Sequence, residues 1–139
     1  MKINWEALCE AVGDYSQSRI YIFNKKTGEI IIVSEYMSDS GKRDLKQQVA
    51  GIKPENCVVI PTMSSRDGFK LMEEFVPFVK DDKVKAILTE ILPQTAPFKR
   101  FKEVVFKNPE IRKQWQNYRE ERLTEYAKKW LTKEGIKEE

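Results

Sequence analysis

The spacing of apolar residues changes character along the chain. After Asn4, the residues Trp5, Leu8, Cys9 and Val12 recur at helical spacing and Gly13 follows, which predicts a short opening helix capped by the asparagine side chain. From Arg19 the pattern becomes RIYIFN, then KKTG, then EIIIVS. This β-branched and aromatic signature predicts an antiparallel hairpin of residues 20–24 with 29–34, with Gly28 at positive φ in the turn. Residues 35–56 are polar, hold two glycines and a proline, and carry only a short helical hint over 44–49, so they read as the most mobile stretch. Four apolar residues in a row then make 57–61 a third strand, and three strands in succession suggest a small meander.

The second half is helical throughout. Ser64 and Asp67 have the spacing of a capping box, and Phe69, Met72, Phe75, Val76 and Val79 follow at steps of three and four. Pro77 lacks a backbone donor and crowds the preceding turn, so it is expected to kink or shorten that helix. Asp81 and Asp82 open another helix with the stripe Val84, Ile87, Leu88 and Ile91. Pro97 opens a third, carrying Phe98, Phe101, Val104 and Val105 and ending at Asn108. Asn108 and Pro109 start the last as N-cap and first helical residue, with Ile111, Trp115, Tyr118, Leu123, Tyr126 and Trp130 averaging near the helical period. The expected fold is α+β in a single domain over residues 1–139: a helix and β-meander in 1–62, then about four helices in 63–139.

Composition narrows the chemistry. The chain has 139 residues, 40% of them hydrophobic, enough to fill the core of one domain. It contains no histidine, which excludes Ser-His-Asp and Cys-His catalysis, histidine bases and histidine-containing zinc sites. Cys9 and Cys57 stand far apart and outside any CxxC, which removes thiolate metal cages and dithiol redox motifs. Cys57, within CVVI, reads as a small buried hydrophobe. No window approaches a membrane span and MKINWEALCE lacks a long apolar run, so the expectation is a soluble cytoplasmic protein with reduced thiols, no membrane association and no cofactor.

Several segments carry a resemblance. The run PFKRFKEVV followed by NPEIRKQWQNYREERLTEYAKKWL resembles the carboxyl-terminal signature of the bacterial uncharacterised protein family catalogued as number 0158. The residues that carry it are Phe98, Arg100, Phe101, Lys102, Pro109, Trp115, Arg119, Glu121, Arg122 and Trp130. The TGE of residues 27–29 resembles that family's hairpin turn, and IP followed by GFKLMEEF its strand and helix entry, whereas Tyr118 stands where its pattern usually has phenylalanine. The family has no assigned activity, so the resemblance implies no catalytic residue.

The formal charge of +3 is small but unevenly placed. Residues 97–119 hold seven cations (Lys99, Arg100, Lys102, Lys107, Arg112, Lys113 and Arg119) against Glu103 and Glu110, interleaved with Phe98, Phe101, Phe106 and Trp115. Cations among aromatics suit phosphates and stacked bases, and equally suit the flanks of an amphipathic helix. Arg119 and Arg122 lie four and seven residues after Trp115 on one helical face, which asks either for carboxylate partners such as Glu73, Glu74, Glu121 or Glu125 or for an anionic ligand. Ser64, Ser65 and Arg66 at a helix amino terminus make a candidate anion site, with simple capping as the alternative. The adjacent pairs Glu73 with Glu74, Asp81 with Asp82 and Glu120 with Glu121 point about 100° apart on a helix, so none forms a same-face acid-base dyad.

These features favour a non-enzymatic interaction or regulatory module with a protein partner. A nucleic-acid binder and a carboxylate-metal enzyme stand as alternatives. The binding residues are Lys99, Arg100, Lys102, Trp115, Arg119 and Arg122. No segment points to an oligomeric state.

Overall fold

The computed structural model describes residues 2–34 and 37–137. Glu35 and Tyr36, the first two residues of the stretch expected to be mobile, lie outside them, as do Met1, Glu138 and Glu139 at the ends of the expected domain. The first helix, α1, spans Trp5–Val12, and Asn4 caps it as expected, its Oδ1 accepting from the Ala7 amide at 3.1 Å. Strands β1 (Arg19–Asn24) and β2 (Ile30–Ser34) form the expected hairpin, with Ile20 opposite Val33 and Ile22 opposite Ile31. Gly28 adopts φ 82°, and its amide donates to the Asn24 carbonyl at 2.8 Å.

The sheet is three-stranded and antiparallel, but its order is β2-β1-β3, with β3 at Cys57–Val59. The third strand therefore returns to the free side of β1 instead of extending a meander from β2. Both outer strands run opposite to β1 and hence parallel to each other, and parallel strands cannot be joined by a tight turn. Residues 35–56 supply that crossover and hold a helix, α2 at Asp39–Ala50, much longer than the sequence hint. Its twelve residues rise about 18 Å, close to the length of a five-residue strand. Ser38 caps it by accepting from the Gly41 amide at 3.1 Å. None of its residues is buried, so it lacks the core-facing stripe that betrays a helix in sequence.

Two compact units follow from the packing. The strand-bearing unit joins Met1–Ser64 to Leu123–Glu139. Tyr21, Phe23 and Ile60 are buried in it, and the Phe23 ring meets the Trp130 ring edge-on at 5.6 Å. Polar links join its distant segments: Cys9 Sγ lies 3.4 Å from Thr124 Oγ1, Gln17 Nε2 donates to the Met63 carbonyl at 3.4 Å, and Lys25 pairs with Glu134 at 3.7 Å. Both cysteines are free thiols, Cys9 buried and Cys57 half-buried.

The second unit, Ser65–Arg122, is helical. Helix α3 spans Ser65–Phe75 and gives way to a 3₁₀ turn at Val76–Phe78, the shortening that Pro77 imposes. Asp81 then caps α4 (Asp82–Ile91), accepting from the Lys83 and Val84 amides at 3.0 and 3.2 Å. Ala96 holds a left-handed conformation (φ 53°) just before Pro97 opens α5, Pro97–Lys107. Helix α6, Pro109–Lys133, starts where the sequence placed it. Asn108 accepts its first helical bond through its carbonyl, from the Arg112 amide, while its side-chain amide turns back to the Val104 carbonyl at 2.8 Å and closes α5.

The buried residues of α6 include Ile111, Trp115, Leu123, Ala127 and Leu131. Steps of four advance about 40° beyond a full turn each time, so the buried stripe winds around this long helix. Ala127 is buried where the aromatic pattern pointed to Tyr126, which is 45% exposed. The helix ends in a Schellman motif: Gly135 takes φ 72°, the Ile136 amide donates to the Leu131 carbonyl at 2.9 Å and the Gly135 amide to Thr132 at 3.1 Å.

Candidate functional site

Two of the four aromatic residues suspected of stacking on bases build the core of the helical unit. Phe101 and Trp115 are buried with ring centroids 4.9 Å apart, and Phe75 meets them at 6.4 and 5.2 Å. Phe98 is half-buried. Trp115, a candidate binding residue, thus packs inside a ring cluster. Of the four interleaved rings, Phe106 alone stays exposed, at 50%, and the Arg112 guanidinium lies 4.8 Å from its centroid.

The cations of α5 face outward. Buried Phe101 and Val105 fix the inner side of the helix, and at 100° per residue Lys99, Lys102 and Phe106 fall within a 60° sector on the other side. Lys99, Lys102 and Lys107 are exposed, as are Arg112 and Lys113 at the start of α6. None of the four lysines has an ion-pair partner among the described residues. Arg100 is already employed: its Nε donates to the Thr95 carbonyl at 3.0 Å and Nη1 to Gln94 Oε1 at 3.1 Å, pinning the turn that enters α5. Sequence reading grouped Arg100 with the free lysines because side-chain hydrogen bonding to a nearby turn leaves no periodic trace.

Arg122 is exposed and lies 5.1 Å from the centroid of the Tyr118 ring, which in turn meets Phe78 at 5.8 Å. Arg119 is half-buried, and neither arginine is a free cation. The Tyr118 hydroxyl is buried without a hydrogen-bond partner, a feature that a count of aromatic positions could not reveal. Ser64, Ser65 and Arg66 are all exposed around the start of α3.

One polar cluster went unsuspected. Asp14 accepts from the Tyr21 hydroxyl at 2.6 Å and from the Ser16 amide at 3.0 Å, with Arg19 at 3.9 Å. Burial pushes the Asp14 carboxyl up, but the Ser16 and Tyr21 hydroxyls, the Ser16 amide and Arg19 together hold it below its ordinary 3.8. Burial raises the Tyr21 phenol above its ordinary 10.0, and the hydrogen bond to Asp14 adds to that. The cluster ties the α1–β1 loop to the sheet, and D-Y-S-Q-S-R is its local trace in the sequence. Among the described residues no three cysteine, aspartate or glutamate side chains are grouped to hold a metal ion, and no helix is long and apolar enough to cross a membrane.

Comparison with known proteins places the chain in sequence space. Residues 1–138 match the family described as Uncharacterised protein family (UPF0158). The chain is similar to UPF0158 protein PA5073 of Pseudomonas aeruginosa, 29% identical over 110 residues that cover 79% of this chain and 69% of the relative. No solved structure matches it.

Proposed function

The chain belongs to the uncharacterised family UPF0158, and from that starting point we infer that it is a non-enzymatic cytoplasmic interaction module whose outer α5 and early α6 surface docks an acidic protein partner. The observation that carries this reading is the row of exposed lysines, Lys99, Lys102, Lys107 and Lys113, without internal carboxylate partners among the described residues. A lysine already paired gains little from a new anion, whereas unpaired ones offer long-range attraction and a register for an acidic surface. Exposed Phe106 beside Lys102 supplies the apolar anchor that charge alone lacks.

The test replaces Lys99 and Lys102 with glutamine and leaves Arg100 intact, since Arg100 pins its own turn. The double variant is expected to keep its thermal stability and to lose the partners that wild type captures from lysate. Recovery of the same partners by both proteins overturns the reading. A nucleic-acid partner stands second, favoured by an exposed ring with its stacked guanidinium, Phe106 with Arg112. Its test is a gel shift with single-stranded oligonucleotide at low salt, and an unshifted band removes it.

A further inference from the structure

The strand-bearing unit offers a different surface. The Asn24 amide donates to the Glu29 carbonyl at 2.9 Å, which sets the phase of the β1–β2 ladder: the pairs Ile22 with Ile31 and Ile20 with Val33 exchange hydrogen bonds, and Ile30 and Ile32 do not. The other side of β1 agrees, because the carbonyl of Tyr21, the residue opposite Ile32, accepts from the Ile60 amide at 2.8 Å. The backbone donors and acceptors of Ile30 and Ile32 therefore face away from the sheet, and among the described residues nothing pairs with them.

The two edges of the sheet are treated differently. β3 has three residues and lies between Pro54 and Pro61, which keeps that edge short. β2 has five, IIIVS, with no charge, proline, glycine or bulge, and lacks the devices by which exposed edges normally avoid pairing. Ile32 is 52% exposed, although it shares a sheet face with buried Tyr21.

We propose that β2 is a pairing edge whose partner is β2 of a second copy, joined antiparallel about a two-fold axis into a continuous six-stranded sheet. The strand is self-complementary in one register. With Ile31 opposite its own copy, Ile30 faces Ile32 and Glu29 faces Val33, so apolar residues meet apolar ones and the acidic side chain meets no like charge. In this register the outward groups of Ile30 bond those of Ile32 in both directions. A five-residue strand spans about 17 Å, and one such junction falls well short of the roughly 800 Å² per partner of a standard stable interface. The dimer is accordingly weak and concentration-dependent.

Sedimentation velocity from micromolar to millimolar protein tests this. Wild type is expected to rise from one chain of 16.4 kDa toward twice that mass. Ile32→Lys, at a half-exposed position, is expected to fold normally by circular dichroism and remain monomeric, whereas Ile32→Thr, which keeps a strand former, still dimerises. Hydrogen exchange at the Ile30 and Ile32 amides is expected to slow on the order of tenfold between the dilute and concentrated samples. A wild type that stays monomeric throughout overturns the proposal. So does a dimer that Ile32→Lys leaves intact, or one whose Ile30 and Ile32 amides exchange at unchanged rates, which would place the contact elsewhere, including the basic helical surface.

Discussion

The two units of this chain solve folding with different materials. The strand-bearing unit holds twelve basic and twelve acidic residues and is neutral, while the helical unit holds thirteen and ten and carries the whole excess of +3. The first is tied by polar links between residues far apart in sequence, such as Cys9 to Thr124 and Lys25 to Glu134. The second is built on a connected chain of five rings, with Phe75 touching Phe101, Trp115 and Tyr118, and Tyr118 touching Phe78. A unit whose core is made by Phe75, Phe101 and Trp115 can spend much of its outer surface on charge. A unit stitched by specific polar pairs instead depends on each partner being present.

The sharpest way to break that contrast is to empty the ring cluster. Phe75→Ala removes a side chain that is 2% exposed and touches three other rings, and it is expected to cost about 3–5 kcal/mol, read by chemical denaturation of the intact protein. In the strand-bearing unit the comparable test is electrostatic. Tyr21→Phe withdraws one donor from the Asp14 carboxylate and is expected to cost about 1.5–3 kcal/mol. Because the folded Asp14 carboxyl titrates below its ordinary 3.8, its contribution is present above that value and disappears as pH falls through the folded one. Wild type is thus expected to lose more stability than Asp14→Asn from about pH 4 downward.

Gly135→Ala tests the helix end. Nothing crowds a β-carbon there, so the expected loss of about 1 kcal/mol comes from the left-handed backbone alone. The smallest effect has the opposite sign. Tyr118→Phe deletes a buried hydroxyl that bonds nothing, keeps the ring, and is expected to stabilise the helical unit by about 0.5–1 kcal/mol in thermal melts. A loss of stability instead would mean that the hydroxyl has a bound water or ligand in solution.

Much of the fold could be read from local signals. Asn4 and Asp81 cap their helices, Gly28 turns the hairpin, Pro77 shortens α3, and Pro97 and Pro109 open α5 and α6. Each of these acts within about four residues, the range over which backbone bonding is decided. What escaped is non-local. The order β2-β1-β3 depends on β3 reaching β1 across residues 35–56, and α2 buries no residue that would have marked its inner face. Candidate site residues divided likewise. The outward direction of Lys99 and Lys102 follows from helical spacing, whereas the turn bonds of Arg100 and the orphaned hydroxyl of Tyr118 depend on neighbours that no periodicity encodes.

The discontinuity of the strand-bearing unit sets an order of assembly. Its hairpin can close as soon as it is made, since Asn24 and Glu29 are neighbours along the chain. Phe23, however, meets its ring partner Trp130 only after more than a hundred further residues have been joined, and Ile136, which closes the helix end, comes later still. On the ribosome, residues 65–122 have their whole aromatic core in hand before the earlier-made sheet has its last wall. During synthesis Phe23 of β1 waits without its ring partner for the end of α6, so a stall before Trp130 leaves exposed a ring that the completed protein buries.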